Sequence, residues 1–317
     1  MDVFNDIKEM IGNTPVLKIS RFKLKAGVNI YAKLENFNPG GSVKDRIGAY
    51  MIDEAEKSNR LKNGYTIVEA TAGNTGLGIA LGALNKGYKV IFAVPEKFSI
   101  EKQVLMKALG AEIVHTPEEK GMRGAIEKAQ ELLGKIPNSI SLGQFQNKDN
   151  PKAHYLTTGP EIYKQLDGKI DYFVAGAGSG GTFTGIVKYL KEQNNAIKAI
   201  LADPEGSTLG GGTEEKYAIE GIGNDFIPDT MNMNLVDKVI KVNDDEAFIM
   251  VRELAKREGL IVGSSSGAAL AAALKLADTI DSGNIVTVFP DRGDRYFSKN
   301  LYSQISENRN KTLSRNP

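Results

Sequence analysis

Residues 38–46 read Asn-Pro-Gly-Gly-Ser-Val-Lys-Asp-Arg, and their place between an apolar run and a helical pattern sets the reading of the whole chain. The run VNIYAKL at 28–34 is strand-like, and 44–57 carries the periodicity of an amphipathic helix. NPGGS is then a tight strand-to-helix connection, with Ser42 as a cap and Lys44 just inside the helix. A lysine so placed is held beside a cleft instead of sweeping through solvent. Taken alone, one of 40 Lys+Arg side chains reads as an ordinary base on a solvated helix face. What sets Lys44 apart is its company: TAGNTG at 71–76, GAGSGGT at 176–182 and GSSSGAA at 263–269 each follow an apolar run and open a helix.

Outward from this stretch the chain alternates. GNTP at 12–15 makes a turn, and VLKI at 16–19 pairs with 28–34. Helix 44–57 is followed by strand 65–70, helix 74–86, strand 88–94, helix 99–109, strand 111–115 and helix 121–134. A second series begins near residue 150: helix 157–166, strand 170–175, helix 181–193, strand 197–202, helices 244–258 and 267–280, and strand 284–289. Strands that are apolar throughout and separated by helices predict parallel sheets covered on both faces. Residues 143–151 read as the crossover between the two series. The glycine-rich, aperiodic segment 203–235 reads as a cleft-lining loop, MDVFNDIKEM as an amphipathic helix capped by Asp2, and SENRNKTLSRNP as a frayed tail.

Composition removes several chemistries. The chain has 317 residues, enough for two domains sharing a cleft. Forty basic against 39 acidic side chains, without a basic block, argue against nucleic acid as a partner. With no cysteine there is no disulfide, thiolate metal site or cysteine nucleophile. Two histidines, His115 and His154, are too few for a histidine-rich metal centre and leave a Ser-His-Asp triad little room. No secretion signal and no apolar run of ~20 residues is present, so a cytoplasmic protein with no membrane span is expected.

The glycine loops suggest what the cleft holds. After strand 170–175, the amides of GAGSGGT and the first turn of the next helix converge on one spot suited to a phosphate. The same residues form a GxGxxG through Gly176, Gly178 and Gly181, which leaves a dinucleotide open, with Asp203 as ribose acceptor; close helix-to-strand packing is the plainer account. A dinucleotide would leave Lys44, TAGNTG and GSSSGAA without a task, whereas a smaller phosphorylated cofactor that bonds to a lysine uses all four. Thr71, Gly73, Asn74 and Thr75 can offer donors to a carboxylate, or Thr71 or Asn74 can simply cap the helix. Of the three serines before helix 267–280, one can cap and another can face the cleft.

Taken in order, IGNTP, NPGGSVKDR, TAGNTG, GAGSGGT and GSSSGAA resemble the fold-type II pyridoxal-phosphate enzymes, specifically the cysteine synthase and cystathionine β-synthase family, over residues 1–300. The resemblance implies two open, mostly parallel α/β domains with pyridoxal 5′-phosphate in the cleft between them. Residues 1–147 would form the smaller domain, with about 13–34 crossing to the other, residues 148–305 the larger, and 306–317 a flexible tail. It implies that Lys44 bonds covalently to the cofactor and moves the substrate Cα proton, while Asn74 meets the ring's phenolic oxygen and Ser265 the pyridine nitrogen. Gly178, Ser179, Gly180, Gly181 and Thr182 would cradle the phosphate, and Thr71, Gly73, Thr75 and Gln144 would hold the substrate carboxylate.

The implied reaction is β-replacement on O-acetylserine, or serine, by homocysteine, forming cystathionine through an enzyme-bound aminoacrylate; with sulfide the same site would make cysteine. DPEGS at 203–207 and the EGIG and DFIP stretches within 220–228 resemble the cystathionine-forming branch. FPDRGDRYFS at 289–298 resembles bacterial members, including the B-type cysteine synthases. With no amino-terminal haem segment or carboxy-terminal regulatory extension in view, a short bacterial enzyme using O-acetylserine and homocysteine is expected, as a homodimer. Ala70 and Ala72 stand where the family commonly has Pro and Ser, and Asn224 where it often has Tyr.

Overall fold

The computed structural model describes residues 3–71, 73–96, 98–299 and 301–302. The chain first lays down β1 (Val16–Ile19) and β2 (Val28–Leu34), an antiparallel pair. It then enters α1 (Lys44–Lys57) and builds β3 (Thr66–Ala70), α2 (Asn74–Ala83), β4 (Lys89–Pro95), α3 (Ile100–Ala108), β5 (Glu112–Thr116), α4 (Gly121–Lys135) and β6 (Ser139–Ile140). Next come α5 (Asp149–Leu156), α6 (Thr158–Gln165), β7 (Tyr172–Gly176), α7 (Gly181–Gln193), β8 (Lys198–Pro204) and β9 (Lys238–Val242). The described chain closes with α8 (Asp244–Glu258), α9 (Ser264–Ala277) and β10 (Gly283–Phe289), followed by 3-10 turns over Gly293–Lys299.

Two open sheets result. One has four parallel strands in the order β5-β4-β3-β6; the other has six, β1-β2-β10-β7-β8-β9, parallel except for β1 against β2. Thus β1 and β2, first in sequence, sit in the sheet otherwise built from the second half of the chain, through seven register pairs with β10. Buried aliphatic clusters fill both faces of each sheet, as strands without polar alternation require. Among the described residues no helix is long and apolar enough to cross a membrane.

Three expectations need correction. The amino-terminal helix is, over the described residues, a single 3-10 turn, Ile7–Met10, capped by Asp6, whose carboxylate takes the Lys8 N–H at 2.9 Å. None of its residues is buried, so there is no packing to extend it; Asp2 lies outside the described residues, as does the tail from 303 onward. No serine caps α9, whose N-cap is Gly263 with Ser264–Ser266 forming the first turn, and Ser42 does not cap α1, whose N-cap is Val43 without a side-chain cap bond. Helix α5 and strand β9 come as additions. Pro151 and the surrounding polar residues read as turn signals, yet a proline in a first helical turn gives up an N–H that has no partner anyway. In β9, Lys238 and Lys241 mark an edge strand.

Candidate active site

The crossing of α1 over α2 is where the site begins. A Cβ on Gly78 would lie 2.2 Å from the Lys44 carbonyl oxygen, and one on Gly48 only 2.1 Å from the Gly78 carbonyl carbon. Only glycines permit that approach, and it places Lys44 and Asn74, the first residues of the two helices, side by side. Ser42 accepts the Lys44 N–H through its hydroxyl at 3.2 Å, and the Val43 N–H reaches Pro290 O at 2.8 Å. Two residues on, Arg46 is buried in a charge network: it meets Glu35 at 2.7 and 2.8 Å and Glu161 at 2.7 Å, while Lys33 donates to Glu161 and to Thr14 O, each at 2.7 Å. Burial alone would raise Glu35; the Arg46 guanidinium outweighs it and holds the carboxyl at about 2. The amino terminus of α1 is thereby fixed to β2 and α6.

Lys44 lines the cavity, and among the described residues its amine makes no hydrogen bond or ion pair. Burial pushes its pKa down, with the charges of Asp291 and Glu35 working the other way. Asn74 is held at both ends of its amide: its Nδ2 donates one hydrogen to Asp291 Oδ2 at 2.7 Å, and its Oδ1 accepts from Arg295 at 2.5 Å. Tyr296 donates its phenol to the same Asp291 oxygen, and Arg295 also reaches the Gly40 carbonyl of the NPGGS turn. Asp291, Arg295 and Tyr296 thus form the wall that orients Asn74. They belong to FPDRGDRYFS, which the sequence marked as resembling bacterial members but in which it named no site residue.

Around the substrate end, Thr71 Oγ1 accepts the Gly73 N–H at 3.3 Å, a local turn and not a helix cap, since Gly73 itself is the N-cap of α2. Thr75 donates to Gln144 Oε1 at 2.7 Å. The loop carrying Gln144 is pinned by Glu69, a buried carboxylate at the end of β3 that accepts from Ser141 Oγ and from the amides of Leu142 and Gly143. Burial raises the Glu69 pKa against those donors. Ala70 lines the cavity here; Ala72 lies outside the described residues.

The phosphate-loop candidates follow β7. Gly180 has φ +81° and faces Met231, where a Cβ would come within 2.4 Å. Among the described residues none accepts a hydrogen bond from the amides of Ser179, Gly180, Gly181 or Thr182. The segment expected to line the cleft does so from Tyr217 to Asn224. It also braces the loop, through Asn224 to the Gly178 carbonyl and Thr230 to the Ser179 carbonyl. A cavity of about 460 Å³ is lined by Lys44, Thr71, Gly73, Asn74, Thr75, Gln144, Gly178, Ser179 and Ser265. An adjoining space of about 30 Å³ adds Gly180 and Thr182. Gly181 lies beneath, against Asn150, whose Oδ1 would be 2.0 Å from any Cβ there. All the site residues named from the resemblance except Gly181 therefore line these two adjoining spaces. Among the described residues no group of three or more His, Cys, Asp or Glu side chains is arranged to hold a metal.

Asp203 is not available for the dinucleotide alternative. It is 1 % exposed, and its Oδ2 is taken by Lys241 at 2.6 Å and the Gly210 N–H at 3.0 Å. Residues 7–291 match the family model described as pyridoxal-phosphate dependent enzyme. The chain belongs to that family.

Members of the pyridoxal-phosphate dependent enzyme family similar to this chain include the O-acetylserine dependent cystathionine beta-synthase of Bacillus subtilis, 54% identical over 95% of this chain and 99% of the relative. A cysteine synthase of Helicobacter pylori is 48% identical over 95% of this chain and all of its own length. The crystal structure of an O-acetylserine dependent cystathionine beta-synthase from Helicobacter pylori superposes with a TM-score of 0.91 at 49% identity, covering 95% of this chain and 100% of that one. The two open sheets are thus those of the family's enzymes. The cleft fits the family's cofactor on its own terms: unpaired loop amides at a helix start suit a phosphate, and an unpaired, burial-depressed lysine amine suits an aldehyde carbon.

Proposed function

We propose that this enzyme performs β-replacement on O-acetylserine, with homocysteine as the incoming thiol and cystathionine as the product. The observation that carries the reading is the pairing of the unpaired Lys44 amine with an anion-binding glycine loop across one cleft, in a chain 54% identical to an O-acetylserine dependent cystathionine beta-synthase. Pyridoxal phosphate, when bound, supplies an electron sink for the carbanion at the substrate Cα.

The chain's residues do the rest. Lys44 would hold the cofactor through its side-chain amine, and that amine would remove the substrate Cα proton and later return one. Its depressed pKa keeps a larger share of that amine unprotonated than a solvated lysine would have. Gly178, Ser179, Gly180, Gly181 and Thr182 hold the phosphate. Ser265, in the first turn of α9 and lining the cavity, would offer the pyridine nitrogen a hydroxyl, which does not enforce a charged ring as a carboxylate would. Asn74, oriented by Asp291 and Arg295, would offer its remaining N–H to the phenolic oxygen. Thr71, Gly73, Thr75 and Gln144 bind the substrate carboxylate and so fix the Cα proton toward Lys44. The enzyme is taken to act in the cytoplasm as a homodimer whose smaller domain spans 1–147 without the β1–β2 segment and whose larger spans 148–305.

A second reading, sulfide as the nucleophile, is favoured by the 48% identical cysteine synthase. Relatives of both names stand at similar identity, so the thiol has to be measured. Incubation with O-acetylserine and either homocysteine or sulfide, products separated by mass, is expected to give faster formation of cystathionine. Faster formation of cysteine would reverse the assignment, and no change in the visible spectrum on adding O-acetylserine would remove both.

A further inference from the structure

His154 is fully buried and lies on α5, away from the cavity lining. Its two ring nitrogens meet two threonines: Nδ1 is 2.9 Å from Thr158 Oγ1, and Nε2 is 3.1 Å from Thr182 Oγ1. Thr182 lines the small space beside Lys44 and is the last residue of the glycine loop. One turn earlier on the same face of α5, at the i,i+4 spacing, Asn150 donates its Nδ2 to Ser179 Oγ at 3.0 Å and to Gln144 O at 2.7 Å. The helix can come this close because Gly185 of α7 has no Cβ; one there would sit 2.8 Å from the His154 Cβ.

A hydroxyl that accepts a hydrogen bond keeps its own hydrogen free to donate. Asn150 donates into Ser179, so the Ser179 O–H is left for an anion. Burial pushes His154 down to about 3, so its ring is neutral and carries one N–H and one lone pair. Two arrangements fit the distances. With the hydrogen on Nδ1, Thr182 must donate to Nε2 and would turn a lone pair toward the phosphate. With it on Nε2, Thr158 donates to Nδ1, Nε2–H donates to Thr182 Oγ1, and the Thr182 O–H is released toward the anion. An anion selects the second.

We propose that His154 is a positioning residue for cofactor binding: relayed from Thr158, its Nε2–H holds the Thr182 hydroxyl as a donor to the phosphate of pyridoxal phosphate, as Asn150 does for Ser179. This rests on the functional reading above, since it requires that a phosphate occupy the loop. A hydrogen bond to a charged group lost in this way weakens binding by about ten- to a hundredfold.

The test is the dissociation constant of pyridoxal phosphate from the apoenzyme, followed by fluorescence quenching, for wild type, T182V, H154L, H154Q, T158V and the H154L/T182V pair. T182V and H154L are each expected to weaken binding by about tenfold or more, and the double variant no further than T182V alone, since both remove the same donor. H154Q, whose amide reaches the place of Nε2–H, is expected to recover most of the affinity and the wild-type 31P chemical shift. Losses that multiply in the double variant, or no recovery with Gln, overturn the proposal. Should H154L fail to fold, T158V carries the test, with a several-fold loss expected and unchanged affinity counting against the relay. A wild-type chain that binds no pyridoxal phosphate at all would instead sink the functional reading.

Discussion

Lys44 and Asp45 are neighbours in sequence and are driven in opposite directions by the same burial. The lysine's pKa is lowered, which favours the free amine. Replacing it, Lys44→Ala, is expected to reduce turnover by ~10²–10⁴-fold or more and to abolish the pyridoxyl peptide left by borohydride reduction, with the far-ultraviolet spectrum unchanged; a label on another lysine would displace Lys44 from its role. Asp45 goes the other way, raised to about 7 by burial against the pull of Arg295 and the amides of Gly40 and Ser42. Between its ordinary value of 3.8 and about 7, the folded chain holds a proton that the unfolded chain releases, so this group's contribution to stability falls as pH rises through that window and is flat above it. His154, lowered to about 3 by burial, runs oppositely: its contribution is full above its ordinary 6.5 and is lost as pH falls toward 3. Asp45→Asn keeps an acceptor for the Gly40 N–H while removing the titration. Denaturant unfolding at several pH values should show the variant gaining on wild type by a few kcal/mol between about pH 4 and pH 7; a pH-independent difference would refute the assignment.

At the scale of elements, the contact that matters most is α1 against α2. Gly78→Ala would place a methyl 2.2 Å from the Lys44 carbonyl, against backbone that cannot swing aside. The expected cost is about 1–3 kcal/mol of stability, with a loss of cofactor absorbance beyond what the lower melting temperature explains, because the overlap falls on the residue that carries the reactive amine. A variant that melts earlier yet keeps the full cofactor band would show that α1 adjusts without moving Lys44. Elements differ in how openly the sequence announced them. The long apolar strands and the helices opening at 44, 74 and 181 were legible from periodicity and glycine turns. Helix α5 was hidden by its proline and polar residues, although Asn150 and His154 at i,i+4 are a signal that could have been followed.

At the scale of the whole molecule, α3 is tied across the cleft mouth to the opposite side. Buried Lys102 meets Glu220 at 3.2 Å and lies 4.4 Å over the Tyr296 ring, while Glu101 accepts the Ser298 N–H at 3.1 Å. Lys102→Met preserves most of the stem's packing and removes the charge. It should speed amide exchange in α3 and in residues 217–222 and lower stability by about 1 kcal/mol. Equal exchange rates in the two proteins would mean these ties do not restrain the mouth.

Sequence by itself determined the alternation of strands and helices, the exclusion of cysteine-based chemistry, and the set of glycine turns and polar residues that converge on the cleft. Those are local facts, written in periodicity and in residues whose backbone needs are unusual. Tertiary structure alone decided that Asp203 is spent on Lys241, and that Asp291, Arg295, Glu69 and His154 support the site from behind. Each of those depends on partners 38 to 255 residues away in pairs such as Asp203–Lys241 and Gly40–Arg295, or, for His154, on a close approach of helices that no single stretch of chain encodes. Hydrogen bonds between distant side chains leave no period in the sequence, so only the folded molecule shows them.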